Sequence, residues 1–540
     1  MMVFDFATAW EHVADVFPDR DAIVHGIRRI KYREFDDAAA RFARAMEVAG
    51  VPEGAKVALY LYNCPEYLIA QYGAFKHRTV PVNVNYRYLD EELVYLIENS
   101  DAEVLVFHGS LATCVERVRD KLSAVRLFVE VDDGDGHMDG SWRFDDLLAA
   151  HEPQPRKSRF PDDLYMLYTG GTTGMPKGVM FHQGEFIEGL FVGAVLLGVM
   201  DSVPADAASF RQQLSKTDEA SRVVSITCCP LMHGTGMWIG AMGALMTGGA
   251  VVLLESRSFD PDEVWRLAER ERATRIVIVG DPFARPLLRA LEARELEGRS
   301  TDTSSVQYVM SSGAIWSAEI KDQLRARLTA TLSDSLGSTE GLGFGLSRAS
   351  HSEGAATAHF SLAPTAKVIT EDGTPVTPGS EEAGMLASRT SAYGYYKDPE
   401  KTARTFLTLD GAGYVLTGDW ATVDGDGAIT LLGRGSMTVN TGGEKVFAEE
   451  VEEAIKRHPL VEDCLVVGVP DERFGQRVVA VIASTNPPSP SREEIGDFLR
   501  SSLAHYKIPR EVVVGSSVQR APNGKADYAW ARQTALAAGD

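Results

Sequence analysis

The sequence predicts an α/β protein with α+β elements: a large multi-sheet N-terminal domain and a small, mobile C-terminal α/β domain. Three observations carry this. The chain has 540 residues, too many for one ordinary core. Short apolar runs alternate with amphipathic stretches for most of its length. A glycine-rich segment, "LLGRGSMTVNTGGEK" (431–445), separates the last hundred residues from the rest.

The apolar runs are "KVALYLY" (56–62), "AEVLVF" (102–107), "AVVLL" (250–254), "TRIVIVG" (274–280) and "VQYVMSSG" (306–313). They read as buried strands. Amphipathic segments such as "SAEIKDQLRARL" (317–328) read as the helices between them. The segment 186–200, "FIEGLFVGAVLLGVM", reads as a buried helix, because it holds Glu188 and falls short of the roughly 20 residues that span a bilayer. Residues 130–140 and 204–222 are polar and read as solvated loops. Near the C-terminus, 448–459 reads as a helix closed by Pro459, 463–470 and 477–484 as strands, and a helix falls near 495–503. The predicted division is 1–435 and 436–540, and the glycine-rich segment between them reads as a hinge or merely as a loop.

Composition bounds the function. The hydrophobic fraction is 44% and the net charge is −22. Such a surface argues against nucleic acid and anionic lipid as partners. Five cysteines without CxxC spacing or a Cys/His cluster indicate neither a disulfide framework nor a zinc site. The N-terminus carries early acids and no basic run, so no signal peptide is expected; with no transmembrane segment, a cytoplasmic location is.

"YTGGTTGMPKG" (168–178) packs four glycines, three threonines and a lysine into eleven positions. Glycine backbones let N–H groups approach a ligand closely, and hydroxyls with an ammonium suit phosphate oxygens. The competing reading is a polar turn. It is not the P-loop of mononucleotide NTPases, because Pro176 precedes Lys177 and Gly178 follows it. Apolar runs on both sides make it a link between two strands. G-x-G-x-x-G and G-x-S-x-G are absent, which removes support for a dehydrogenase or a serine hydrolase.

This stretch is followed in order by "DSLGSTEG" (334–341), "LTGDW" (416–420), "GRGSMTVNTGGEK" (433–445) and "APNGKADY" (521–528). Together they resemble the core motifs of the ATP-dependent adenylate-forming enzymes: acyl-CoA synthetases, peptide-synthetase adenylation domains and luciferase. The wording of 81–93, 279–288, 311–321 and 440–454 is similar to actinobacterial FadD-type acyl-CoA synthetases, a group that includes sterol side-chain CoA ligases. The resemblance implies ATP, magnesium and coenzyme A as cofactors and a small-molecule carboxylic acid as substrate. It leaves the acid unnamed and a homodimer open.

Residue by residue, the resemblance assigns Thr169, Gly170, Gly171, Thr172, Thr173, Gly174 and Lys177 to the phosphate loop, with Gly170 where the family usually has serine. Gly313, Ala314, Asp334, Ser335, Leu336, Gly337 and Ser338 match the adenine walls; Leu336 stands where an aromatic is usual. Thr339 matches an α-phosphate contact and Glu340 the magnesium ligand. Asp419 matches the ribose-binding acid and Arg434 a second ribose or phosphate contact. Lys525 matches the lysine bridging carboxylate and α-phosphate. Gly442 and Gly443 match a bend lining the pantetheine tunnel. His233 matches a residue guarding the acyl tunnel, a gating role being favoured over that of a base; a merely packed histidine is the plainer reading. Met437 departs from the family's charged hinge residue, and Ala448 replaces a usual proline. Gly240, Gly343 and Gly345 either widen an acyl pocket or are backbone turns. Two other functions stay open: adenylation with transfer to an amine or other non-CoA acceptor, and a non-catalytic nucleotide-binding protein on the same fold.

Overall fold

The computed structural model describes the chain except residues 1–3, 172–173, 220, 342, 350–353, 355, 410, 442–443, 472–473, 485–487, 501, 522–523 and 539–540; residues 170, 171, 174, 434, 436, 444 and 445 are described as backbone only. The protein is a mixed α/β structure of four sheets. The largest is fourteen-stranded and changes character along its length. From Asp21–His25 through Ala250–Leu253, Val224–Thr227, Arg275–Ile278 and Tyr308–Ser312 to Thr331–Leu336, neighbouring strands pair parallel. Beyond Thr331–Leu336 they pair antiparallel, through Gly345–Ala349, His359–Leu362, Ala428–Arg434, Ala412–Val423 and Gly384–Arg389.

The parallel strands are the apolar runs of the sequence. Residues 224–227, 250–253 and 275–278 are buried almost throughout, as expected for strands covered on both faces. Helices Pro261–Arg270, Asp281–Leu296 and Ala318–Arg325 alternate with them. A second sheet, built from Lys56–Tyr60, Val80–Asn83, Ala102–His108, Leu127–Val131 and Trp142–Arg143, is wholly parallel. The last hundred residues form a sheet of their own, in which Val461–Asp471 and Gly475–Ser484 pair over nearly their whole length. Helix Ala448–Lys456 buries Val451 and Ile455 against that sheet.

Three expectations need correction. Residues 204–222 are not all loop: Ala207–Lys216 is a helix. The Asp206 carboxylate caps it by accepting from the Ser209 backbone N–H, and Phe210 and Leu214, four apart, are buried. The apolar segment 186–200 lies in helix Gln183–Leu196 but is not buried all round: Val192 is 43% and Leu196 68% exposed. The helix expected near 495–503 runs earlier, over Arg492–Leu499, behind a Ser491 cap.

Ile276 is fully buried in the central parallel strand. Ile276→Ala is expected to destabilise the protein by about 2–5 kcal/mol. Denaturant unfolding checks this, and a change below 1 kcal/mol would show that the strand is not the packed centre described.

Candidate active site

The glycine-rich stretch is a hairpin, as its flanks predict. Leu164–Gly171 and Gly174–His182 pair antiparallel, with Thr169 opposite Lys177 and Gly171 opposite Gly174. The register sets a hydroxyl and an ammonium side by side. Thr172 and Thr173 lie outside the described residues, and Gly170, Gly171 and Gly174 are placed as backbone.

The hairpin borders a cavity of about 490 Å³ at the C-terminal end of the parallel strands. Thr169, Lys177, Gly313, Ala314, Asp334 to Glu340, Asp419 and Lys525 all line it. Gly313 sits at φ +98°, a backbone conformation that disfavours a side chain. Asp334 is buried, and its carboxylate accepts from the Lys321 ammonium at 3.1 Å. Burial pushes Asp334 up to about 6 despite that partner. Asp419 accepts the Thr417 hydroxyl and lies opposite Arg434 across paired strands. Gly442 and Gly443 lie outside the described residues.

Glu340 accepts the Tyr395 hydroxyl at 2.7 Å on Oε1. Two lysines stand by the same tyrosine: Lys177 and Lys401 lie 5.9 and 5.0 Å from its ring centroid. Lys177 donates to the Asp398 carboxylate at 2.8 Å. Burial, then the nearness of Lys177, lowers the pKa of Lys401. Two neighbouring ammonium groups favour an anion beside them. Lys401, Asp398 and Tyr395 were missed from sequence; their signal is the stretch "YYKDPEK" (395–401).

Lys525 reaches the cavity from the C-terminal unit, on a tight turn. The Ala521 backbone N–H donates to the Lys525 carbonyl at 2.8 Å, and the Arg520 guanidinium donates to the Gly524 carbonyl at 3.1 Å. Arg520 is itself fixed by two bonds of 2.6 Å to Asp463.

A second cavity, of about 310 Å³, adjoins the first and is mostly apolar. The two share Thr169, Gly313, Ser335, Gly337, Ser338, Thr339 and Lys525. Leu190, Gly193 and Ala194 of helix Gln183–Leu196 form one wall, which explains why that helix is apolar on more than its packed face. The opposite wall is a π-helix, Thr235–Met242, with Trp238 and Ile239. Away from the shared wall, the glycines at this cavity are Gly189, Gly193, Gly234 and Gly243. Gly240, Gly343 and Gly345 do not line it: a side chain on Gly240 would meet Thr227, and one on Gly345 would meet Phe360.

His233 borders this cavity, with its Nε2 shut in and lacking a hydrogen-bond partner among the described residues. Burial, and then the charge of Lys525, push its pKa down to about 3. A neutral imidazole of such weak basicity suits a wall residue better than a proton acceptor.

The arrangement matches known proteins over its whole length. The model of the AMP-binding enzyme family covers residues 10–396, and that of the AMP-binding enzyme C-terminal domain covers 450–525. The chain belongs to the AMP-binding enzyme family. A family relative, the 3-oxocholest-4-en-26-oate–CoA ligase of Rhodococcus rhodochrous, is 38% identical across 100% of this chain and 97% of its own. The medium-chain acyl-CoA ligase Mig of Mycobacterium avium is also 38% identical, over 97% of each chain. Among solved structures, an anthranilate CoA ligase in complex with anthranoyl-AMP superposes with a TM-score of 0.83 over 100% of this chain and 99% of its own, at 21% identity. The amide bond synthetase McbA of Marinactinospora thermotolerans gives 0.79 over 98% and 99%, at 23% identity.

The pKa of His233 lies below its ordinary value of 6.5. Between about 6.5 and 3 the unfolded chain therefore binds the extra proton, and stability falls as pH drops through that window. His233→Gln should make the acid-side loss shallower, by at most about 1.4 kcal/mol per pH unit. Denaturant unfolding at several pH values tests this; an unaltered slope would mean the imidazole is not held neutral.

Proposed function

We propose that the protein is an AMP-forming carboxylic acid–CoA ligase: it joins an acid to the α-phosphate of ATP, releases pyrophosphate, and passes the acyl group to coenzyme A. The observation that carries this reading is the meeting of two unlike cavities at Thr339 and Lys525, one mostly apolar and one lined by charged and polar groups. A carboxylic acid in the first and a nucleotide in the second would bring carboxyl and phosphate together.

The roles follow from position. The hairpin, with Thr169 and Lys177, and the adjacent Lys401 bind the terminal phosphates. Asp334 to Ser338, with Gly313 and Ala314, form the adenine walls. Asp419 takes the ribose hydroxyls, and Arg434 stands beside it. Thr339 and Lys525 donate to the oxygens on which charge develops as the carboxylate attacks the α-phosphate. Magnesium, a cation that binds through few carboxylates and several phosphate oxygens, would be held by Glu340 and would neutralise phosphate charge. Glu340 fits, because it faces the cavity and, among the described residues, its Oε1 accepts a neutral hydroxyl at 2.7 Å and no cation. Gly442 and Gly443 line the thiol's approach, and His233 gates the acid. The boundary between residues 435 and 436 is the hinge about which the C-terminal unit turns.

The acid is a bulky or long-chain one. The relatives support this: their names specify fatty and steroid side-chain acids. McbA, named as an amide bond synthetase, keeps an amine acceptor as the second reading. No helix is long and apolar enough to cross a membrane among the described residues, in keeping with a soluble acid-activating enzyme.

Incubation with ATP, magnesium and a panel of fatty and steroid acids, with and without coenzyme A, is expected to release pyrophosphate and AMP. ADP and inorganic phosphate would overturn the reading. Lys525→Ala is expected to slow acyl-adenylate formation on the order of 10²- to 10³-fold. Thioester formation from supplied acyl-AMP should be much less affected. Equal loss of both half-reactions would refute the assigned role.

A further inference from the structure

The apolar cavity has a polar end. Arg275 opens the strand Arg275–Ile278 and borders this cavity, yet it is only 4% exposed. One of its terminal nitrogens lies 3.6 Å from where a side chain on Gly243 would begin. Its Nε is shut in without a partner, and the guanidinium makes no hydrogen bond or ion pair among the described residues. Among the described residues four other basic side chains are about as deeply buried, and each has a carboxylate close by: Lys76 and Arg159 have Glu11 at 2.8 and 3.0 Å, Arg294 has Asp262 at 3.1 Å, and Lys321 has Asp334 at 3.1 Å. Arg275 has none. Burial lowers its pKa to about 10, so it remains a cation at neutral pH.

A buried, unpaired guanidinium is costly, and a chain keeps one where something else completes it. The neighbourhood is polar in the same incomplete way. Ser225, level with Arg275 on the adjacent strand, has a buried hydroxyl without a partner, and so does Thr227 two residues on. This end is remote from the reacting centre. Arg275 is level with Tyr308, while the shared wall of the two cavities begins at Gly313, five residues further along. At about 3.3 Å per residue, the two ends lie roughly 16 Å apart along the strand.

We propose that Arg275 selects carboxylic acids bearing a second oxygen acceptor, a carboxylate or a ketone, at the end remote from the activated carboxyl group. The inference rests on the acid-ligase reading above. A distal carboxylate would pair with the guanidinium through two bonds and cancel its charge; a ketone would accept one bond. An acid ending in a methyl group leaves the cation unpaired.

The test compares three acids of equal length: dodecanoic acid, 11-oxododecanoic acid and dodecanedioic acid. Pyrophosphate release gives kcat/KM for each, in the parent and in Arg275→Met. The parent is expected to favour the oxygen-bearing acids over dodecanoic acid by roughly 10- to 100-fold. The dicarboxylate leads if charge pairing dominates, and the ketone approaches it if a single hydrogen bond suffices. In Arg275→Met the ratio between acids should fall to near one; a general loss of activity would not mimic this. A parent that favours dodecanoic acid, or a variant that keeps the parental ratio, overturns the proposal. Thermal melting separates its failure from that of the ligase reading. Even if no acid releases pyrophosphate, distal-oxygen acids should raise the melting temperature of the parent and not of the variant. No such difference would sink the inference on its own. The variant should fold, since replacing an unpaired buried charge by an apolar side chain of similar length is neutral or stabilising.

Discussion

Everything at this site depends on two unlike compartments opening onto one point. Thr169, Gly313, Ser335, Gly337, Ser338, Thr339 and Lys525 border both cavities. Apart from the lysine, each is small. A bulky residue there would close the passage through which a carboxyl group reaches a phosphate, and proximity is a large share of what such a site can supply. The sheet explains why this point falls where it does. Gly313 follows one parallel strand, and Ser335 ends in the next, Thr331–Leu336, where pairing turns from parallel to antiparallel. Crevices at the C-terminal ends of parallel strands, near a change in strand order, are where open α/β sheets place ligands.

Charge is the second constraint. A chain with a net charge of −22 repels a polyphosphate at long range. The cavity answers locally and by holding its cations in place. Lys177 is tied to Asp398 at 2.8 Å. The turn that carries Lys525 hangs from Arg520, which Asp463 grips through both oxygens. Donors fixed in advance need no reorganisation when charge develops.

Much of this was legible in the sequence, for reasons tied to local patterning. The hairpin at 164–182 followed from apolar runs flanking a glycine-rich stretch, and the buried parallel strands from continuous apolar runs. The helix Ala207–Lys216 was missed because its apolar face is only Phe210 and Leu214 in a polar segment. The segment 186–200 was read as a buried helix because it is apolar almost throughout, yet one side of it lines a cavity and Val192 and Leu196 face outward. Lys401, Asp398 and Arg275 stayed hidden for another reason. Their meaning lies in what they meet, or fail to meet, across more than two hundred residues of chain, as Lys177 meets Asp398. The same limit applies to Gly240: a small residue beside an apolar stretch does not say whether it faces a cavity or the Thr227 side chain.

The lysine turn also bears on how the proposed second half-reaction proceeds. Lys525 borders both cavities, so in this arrangement it stands where the two compartments meet. Several contacts join the C-terminal unit to the larger one: the rings of Trp420 and Phe447 lie 6.1 Å apart, and Glu449 lies against Gly433. Arg289 donates to Glu462 at 2.7 Å, with the arginine side chain 52% and the glutamate side chain 35% exposed. Such a pair contributes about 0–1 kcal/mol. Gly524 lies close to Pro282 and Phe283 with no side chain of its own to bury. The strong bonds, those from Arg520 to Asp463, lie within the unit and would travel with it. The backbone at Gly524 and Lys525 is therefore anchored within the unit that carries it. In the proposed two-step reaction, a lysine anchored in this way would move with its own unit, without remaking the contacts that position it.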